Sequence, residues 1–77
     1  MIHKLKIEAN YFKNLLSGIK KVEIRLNDRD YQRGDILQFD VYLDGRWVER
    51  TFEITHIHSG LGMEGNYVAL SVQMAEA

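Results

Sequence analysis

The fold is decided by residues 36–57, which read ILQFDVYLDGRWVERTFEITHI. Every second residue of the first half is apolar, the period of a strand with one buried face: Leu37, Phe39, Val41 and Leu43. Asp44-Gly45 follows directly, and this dipeptide favours the type I′ turn of a two-residue hairpin. The returning strand, Trp47 to Ile57, alternates imperfectly, with Phe52 and Ile54 expected inward. The stretch therefore predicts a β-hairpin whose second strand contains a bulge.

A short strand and a short helix are predicted before this hairpin. Apolar or aromatic residues alternate with charged ones at the start of the chain, as in a half-buried strand: His3, Leu5 and Ile7. Asn10 is expected to cap the helix that follows, because its side-chain oxygen can accept from the free amides of the first turn. The apolar face of that helix consists of Tyr11, Phe12, Leu15 and Leu16. Gly18 ends the helix, since glycine adopts the left-handed conformation at little cost.

Two further strands flank the hairpin in the sequence. Val22, Ile24 and Leu26 alternate with charged residues and are predicted to face the core. Residues 59–66 contain three glycines and predict a loop. Tyr67 to Gln73 is the final strand, with the inward positions Val68, Leu70 and Val72. Met74 to Ala77 is predicted to be a loose tail.

Five strands and one early helix at these spacings predict one mostly β (α+β) domain over residues 1–77. A small closed β-barrel is the expected architecture, because closure removes exposed strand edges.

The chain has no cysteine, which excludes disulfides and thiolate metal sites and is typical of the cytoplasm. No apolar stretch reaches the length of a membrane span. Residues 1–35 carry a net charge of +3 and the rest −4. This asymmetry either attracts phosphate locally or reflects chance segregation.

Residues 18–25 read GIKKVEIR and resemble the GxKxxExR signature of the activating signal cointegrator homology (ASCH) domains, which belong to the PUA-like superfamily. Other motifs, in the same order, resemble a phage and bacterial branch of unknown function within it: His3 to Lys6, Tyr11-Phe12, Asn27-Asp28-Arg29 and Gly34 to Leu37. The resemblance covers nearly the whole chain. It implies a PUA-like barrel in which the helix and the following strand flank a cleft. It also implies RNA, a nucleotide or a modified nucleoside as the ligand.

The resemblance carries an enzymatic alternative as well. Some similar ASCH proteins remove the acyl group from acetylated cytidine, using the signature lysine, a threonine nucleophile and a late glutamate. Here Lys20 matches the lysine, but Glu23 stands at the threonine position and the final strand has no carboxylate. Binding is therefore favoured over catalysis. A small amidohydrolase with Lys20 and Glu23 as catalytic residues is the alternative.

The candidate ligand-binding residues are Lys20, Lys21, Glu23, Arg25, Asn27, Arg29 and Tyr67. Arginine suits planar, bidentate partners, lysine acts as a point charge, and a glutamate can accept from a base amine. The structural alternative for the charged strand residues is a cross-strand charge ladder. Strand periodicity selects Lys21 as the partner of Glu23, whereas the resemblance selects Lys20. Asn27 and its neighbours can equally pin a turn.

Other residues suggest further, weaker interpretations. His3, His56 and His58 would complete a zinc site if they met, but strand histidines commonly face solvent, so no metal and no cofactor is predicted. Trp47 and Tyr67 can stack on bases or fill the rim of a small core. A third functional class is a phage or bacterial protein-interaction accessory module, without a nucleic-acid ligand. A monomer or weak dimer is expected.

Overall fold

A computed structural model describes residues 1–75 of the chain. It contains, in chain order, β1 (Ile2–Leu5), α1 (Ala9–Ser17), β2 (Val22–Leu26), β3 (Ile36–Leu43), β4 (Arg46–His58) and β5 (Tyr67–Met74). The mostly β class, with one short helix after the first strand, is confirmed. Met74 is the last residue of β5 rather than part of a tail, and residues 76–77 of the predicted tail lie outside the described range. No helix among the described residues is long and apolar enough to cross a membrane.

The five strands form a single sheet in the order β1-β3-β4-β5-β2. β1 runs parallel to β3, and the other neighbours are antiparallel. The expected closure into a barrel is wrong: over residues 1–75, β1 and β2 are the two edges and do not pair with each other. The edges are linked instead by a side chain, because Arg25 Nη1 donates to Lys6 O at 3.0 Å. A cleft occupies the opening between them.

The hairpin of residues 36–57 forms as predicted. Asp44 and Gly45 take φ angles of 50° and 85°, the left-handed conformations that a type I′ turn requires. The pairing of β4 with β5 shifts register between Ile54 and His56, so Thr55 forms the predicted bulge. The bulge shifts the alternation of β4 by one residue, so that beyond it Ile57 packs against the core and the flanking His56 and His58 are exposed.

The core lies between the inner face of the sheet and α1. Phe39 lies at its centre, with ring centroids 6.4 Å from Phe12 of the helix and 6.0 Å from Phe52 of β4. All three rings are almost fully buried. The other buried hydrophobic residues are Leu5, Leu15, Tyr31, Leu37, Val41, Ile54, Val68 and Leu70. This packing holds a nine-residue helix that would be marginal alone.

The two ends of α1 differ in how well the sequence predicted them. The helix begins at Ala9, with Glu8 in extended conformation before it and Phe12 N donating to Glu8 O at 3.0 Å. Asn10 therefore lies inside the first turn, and its assignment as the cap is wrong. Gly18 ends the helix as predicted, with φ 81° and its N–H donating to Leu15 O.

The prediction that Val22, Ile24 and Leu26 of β2 face the core is wrong. Glu23 is only 5 % exposed, whereas Ile24 is 58 % exposed and the neighbouring aliphatic residues of the strand also face solvent. The register with β5 explains this orientation, because Glu23 lies opposite Leu70 and Arg25 opposite Val68. Directly opposed residues share a face. Since Leu70 and Val68 must face the core, the charged residues of β2 face inward with them.

Candidate functional site

The candidate site is a cleft of about 490 Å³ at the opening of the sheet. One wall is the connection between β1 and α1, the other is β2, and the first turn of α1 covers one end. Its lining residues are Lys6, Ile7, Glu8, Tyr11, Lys20, Glu23, Ile24 and Arg25. Three of them belong to the GxKxxExR signature, so the structure brings the signature residues together on one concave surface.

Glu23 forms the floor of the cleft. Lys20 Nζ lies 3.1 Å from its Oε1, and Arg25 Nη1 lies 3.0 Å from its Oε2. Both oxygens of the buried carboxylate thus have a cationic partner, as burial of a charge requires. Glu23 fixes the positions of both cations, each of which keeps about a quarter of its side chain exposed to the cleft.

Of the two adjacent lysines, Lys20 lines the cleft and Lys21 does not. Its main-chain N–H bonds to Asn14 O at 3.0 Å, just after the helix ends. From there Nζ donates to Val22 O at 2.6 Å and lies 5.7 Å from the centre of the Tyr11 ring. Lys21 instead lines a separate depression between α1 and the end of β5. The strand periodicity that favoured Lys21 fails because β2 begins only at Val22.

Arg25 connects the two walls of the cleft. The same nitrogen, Nη1, donates to Glu23 and to the main-chain oxygen of Lys6. The guanidinium also lies near the buried Tyr31 hydroxyl. Burial raises the pKa of that hydroxyl, and the positive charge of Arg25 opposes the rise. Arg25 therefore spans the opening of the cleft.

The free edge of β2 contributes main-chain groups to the cleft. Val72 N donates to Lys21 O, and Asn27 N donates to Asn66 O. These bonds identify the odd-numbered residues of this segment as those bonded to β5. Because bonded and non-bonded pairs alternate in an antiparallel ladder, Ile24 directs its N–H and C=O away from β5. One donor and one acceptor thus face a cleft that Ile24 lines.

The remaining predicted site residues lie elsewhere. Asn27 is exposed, and its main chain pairs with the glycine-containing loop. Arg29 lines a neighbouring shallow depression with Arg25, and its Nε lies 4.0 Å from Asp28 Oδ1. Tyr67 lies opposite Leu26, on the outer face of the sheet. The geometry therefore separates Lys21, Asn27, Arg29 and Tyr67 from the cleft.

Five lining residues were not predicted as site residues from the sequence: Lys6, Ile7, Glu8, Tyr11 and Ile24. The first four come from the β1–α1 connection and the first helical turn, and Ile24 comes from β2. The position of Tyr11 at the margin of the apolar helix face could have been inferred from the sequence, because on the helical wheel it lies beside the buried positions Phe12 and Leu15 rather than between them. No signal for Lys6 or Glu8 exists in the local pattern, since the cleft arises only when β2 returns to this edge.

The histidines do not meet. His3 is buried on the inner face, with Nε2 2.8 Å from Asp35 Oδ2 and its ring packed edgewise against Tyr31 at 4.8 Å. This hydrogen bond holds the pKa of Asp35 below its usual value. His56 and His58 lie opposite Ser71 and Ala69 on the outer face. Within residues 1–75, no group of three or more His, Cys, Asp or Glu side chains is placed to hold a metal ion.

The cleft combines charges of both signs with an aromatic ring. Its lining carries three cationic side chains and two carboxylates. Among the described lining residues there is no serine, threonine or cysteine. The arrangement offers cations for an anionic group, the exposed ring of Tyr11 for a planar one, and the Ile24 peptide for hydrogen bonding. These are groups that recognise a ligand by charge, stacking and edge contacts.

Comparison with known proteins gives the family but not an activity. The model of the domain of unknown function DUF3850 matches residues 2–72. An uncharacterized 12.9 kDa protein in the GpA 3′ region of Escherichia phage P2 is 40 % identical over 52 residues, which are 68 % of this chain and 48 % of the phage protein. The matched segment thus spans about half of that relative.

A solved structure shares the fold. The crystal structure of hypothetical protein PH0355 superposes with a TM-score of 0.70 over 97 % of this chain and 100 % of that one, at 17 % identity. At this identity the likeness concerns the fold alone. Since the family model matches almost the entire chain, the protein belongs to the DUF3850 family of domains of unknown function.

Proposed function

We propose that this domain binds RNA or a nucleotide in the cleft between the β1–α1 connection and β2. The observation that carries the proposal is the convergence of Lys20, Glu23 and Arg25 on one concave surface beside Tyr11. Their resemblance to the signature of ASCH domains supports the same ligand class. The phage relative has no stated activity, so it adds no competing assignment.

The proposed ligand contacts follow from the exposed groups. A phosphate is placed between the ammonium groups of Lys6 and Lys20, both accessible at the cleft rim. The base stacks on the exposed Tyr11 ring, as bases do in single-strand binders. Its polar edge faces the N–H and C=O of Ile24. Glu23 serves chiefly to hold Lys20 and Arg25 in position, because both of its oxygens already have partners.

The amidohydrolase alternative has less support. Glu23 stands where the similar deacylases have a nucleophile, and it is engaged by two cations rather than free to attack. The described lining of the cleft supplies no hydroxyl or thiol in its place, apart from the weakly nucleophilic Tyr11 phenol. Lys20 Nζ is already engaged by the carbonyl oxygen of Val22 and the carboxylate of Glu23. Binding is therefore the function proposed.

A protein-interaction module is the second candidate, and one observation favours it. Val22, Ile24, Leu26 and Tyr67 form an exposed apolar strip on the outer face of β2 and β5. Contiguous exposed apolar surface is typical of interaction sites. This candidate predicts that Ile24→Lys abolishes partner capture while Lys20→Ala does not. The RNA-binding proposal predicts the reverse for nucleic acid.

The test of the proposed function is fluorescence anisotropy with a labelled random single-stranded RNA and, in competition, a mixture of the four ribonucleoside monophosphates. Lys20→Ala is expected to weaken binding about tenfold, the value of one charge-assisted contact, and Lys21→Ala much less. Tyr11→Ala removes an exposed ring that lies beside Lys20 Nζ but leaves both ion pairs of Glu23 in place, so it reports on the cleft with little effect on the fold. Affinity should fall as salt rises. The absence of salt-sensitive binding to both probes would refute the proposal.

A further inference from the structure

A second and larger cavity lies on the other side of the β1–α1 connection. β1 pairs with β3 only from Ile36 to Phe39, and the chain then leaves the sheet toward α1. Within residues 1–75, the second half of β3 consequently has no paired strand on that side. The result is a groove of about 640 Å³ with an apolar floor, and its rim includes Lys4, Lys6, Asp40, Tyr42 and Trp47.

Two aromatic side chains form one wall of this groove. Tyr42 and Trp47 are directly opposed across the β3–β4 hairpin, and their ring centroids are 5.4 Å apart at an interplanar angle of 70°. They are 57 % and 71 % exposed. The pair therefore contributes little to the core, and it presents ring surface to the groove. The sequence suggested base stacking for Trp47, and the structure adds Tyr42 as its neighbour.

The charges around the groove are arranged by side. Lys4 and Lys6 lie on the β1 side, whereas Asp40 lies on the aromatic side. Glu49, the cross-strand neighbour of Asp40, lies outside the groove, in an adjacent depression that Asp40 and Trp47 also line. A nucleotide has the matching polarity, since its phosphate is anionic and its base carries amine donors. Carboxylates accept from such amines, and aromatic rings stack on the base.

The groove is continuous with the proposed binding cleft. Lys6 and Ile7 line both cavities, so the β1–α1 connection is a ridge with the cleft on one side and the groove on the other. A chain crossing the ridge would place one phosphate at Lys6, between the two cavities. A lone nucleotide in the cleft would leave the aromatic pair unused.

We propose that the groove is a second nucleotide subsite, and that the ligand is single-stranded RNA of at least two nucleotides, with one base on Tyr11 and the adjacent base on Trp47 and Tyr42. This inference rests on the proposed function of the cleft. An extended peptide added to the open edge of β3 is the competing occupant. The paired lysines and the aromatic wall favour the nucleic acid, because main-chain pairing of a peptide needs neither.

Trp47 supplies a direct readout, because it is the single tryptophan of the chain. Its emission is followed during titration with a random single-stranded RNA decamer, with the four ribonucleoside monophosphates, and with an unstructured acidic peptide. Anisotropy with labelled RNA is measured in parallel for Trp47→Ala, Tyr11→Ala and the control Leu61→Ala, a residue that is 91 % exposed in the distant loop.

The decamer is expected to quench Trp47, and Trp47→Ala to weaken decamer binding about tenfold, the effect of losing one stacked base. Monophosphate affinity should stay unchanged in Trp47→Ala and fall in Tyr11→Ala.

If Trp47→Ala binds the decamer as well as Leu61→Ala does, the groove is not a subsite, although the cleft can still bind. If Trp47→Ala weakens binding and Tyr11→Ala does not, the function proposed for the cleft fails, and with it the two-subsite ligand. Quenching by the peptide and not by RNA would overturn the choice of occupant.

Discussion

Glu23 and Arg25 share the inner face of β2, where Arg25 Nη1 lies 3.0 Å from Glu23 Oε2. The strand thus directs its charged face to the interior and its aliphatic face to solvent, the reverse of the usual arrangement in a half-buried strand. A carboxylate so withdrawn from water needs opposite charge and hydrogen bonds. Lys20 and Arg25 provide both, one on each oxygen. The geometry of the cleft and the stability of β2 therefore depend on the same ion network.

Removing the carboxylate should destabilise the protein. We expect Glu23→Ala to lower the free energy of unfolding by about 2–4 kcal/mol, because two cations lose their partner in a mostly buried site. Glu23→Gln keeps an acceptor and should lose less. Urea denaturation with a common m value measures both changes. The control is Glu64→Ala in the exposed loop, which should change stability by less than about 0.5 kcal/mol. Equal effects of Glu23→Ala and Glu64→Ala would contradict a compensated buried charge.

The inverted face of β2 leads to a second prediction. Ile24→Thr should change the free energy of unfolding by less than about 1 kcal/mol, since the side chain is exposed and threonine is also β-branched. Leu70→Ala, on the opposed strand position next to Glu23, should cost about 2–5 kcal/mol because it leaves a cavity. Thermal and urea unfolding compare the two. A cost for Ile24→Thr as large as that for Leu70→Ala would place Ile24 in the core, as the alternation alone suggested.

The β3–β4 hairpin and β2 show what the sequence could and could not predict. The hairpin of residues 36–57 was predictable because its signals are local: the alternation identifies the strands, and Asp44-Gly45 fixes the turn. Alternation in β2 is equally clear, but an alternating strand has two faces, and which one is buried depends on pairing. That pairing is with β5, more than forty residues along the chain. A carboxylate opposite Leu70 is stable only because Lys20 and Arg25 reach it.

The candidate site, like the fold, was predictable only in part from the sequence. The signature indicated Lys20, Glu23 and Arg25, and these residues do converge on one cleft. Tyr11 and Lys6 belong to elements that precede the signature, and only the sheet order brings the β1 edge beside β2. Closure into a barrel was expected from the need to protect edges. The structure protects this opening with the side-chain bridge of Arg25 instead of main-chain pairing.

The buried pair of His3 and Asp35 predicts a pH dependence of stability. The hydrogen bond from His3 is the main cause of the lowered pKa of Asp35, and Gln32 N adds a second at 3.1 Å. A carboxylate whose pKa is lower in the folded state stabilises that state fully above its unfolded pKa, near 3.8. The contribution is lost as the pH falls through the folded pKa. We therefore expect the free energy of unfolding to decline below about pH 4.

Asp35→Asn isolates this effect. The variant should be less stable by about 1–3 kcal/mol near neutral pH, because it loses the charge-assisted bonds to His3 and the Gln32 amide. Its stability should also decline less between pH 4 and pH 2 than that of the wild type. Urea titrations at several pH values give both quantities, and Asp44→Asn in the exposed hairpin turn is the matched control. Parallel pH profiles for wild type and Asp35→Asn would show that another carboxylate causes the acid sensitivity.

The bridge across the opening of the sheet leads to the last prediction. In Arg25→Lys the charge is kept, but the lysine side chain is one bond shorter, so its ammonium group cannot reach the position from which Arg25 Nη1 joins Glu23 to Lys6 O. We expect the β1–α1 connection to open more often. Amide hydrogen exchange in peptides covering residues 6–12 should accelerate about fivefold, the effect of one lost hydrogen bond of about 1 kcal/mol. Exchange in the β3–β4 hairpin should be unchanged, and Arg29→Lys, on an exposed arginine beside the cleft, should leave both regions unaffected.

Acceleration spread evenly over the whole domain would indicate global destabilisation. A response confined to the connection would show that Arg25 holds the cleft at its width, and RNA affinity should then fall in Arg25→Lys although no positive charge has been removed.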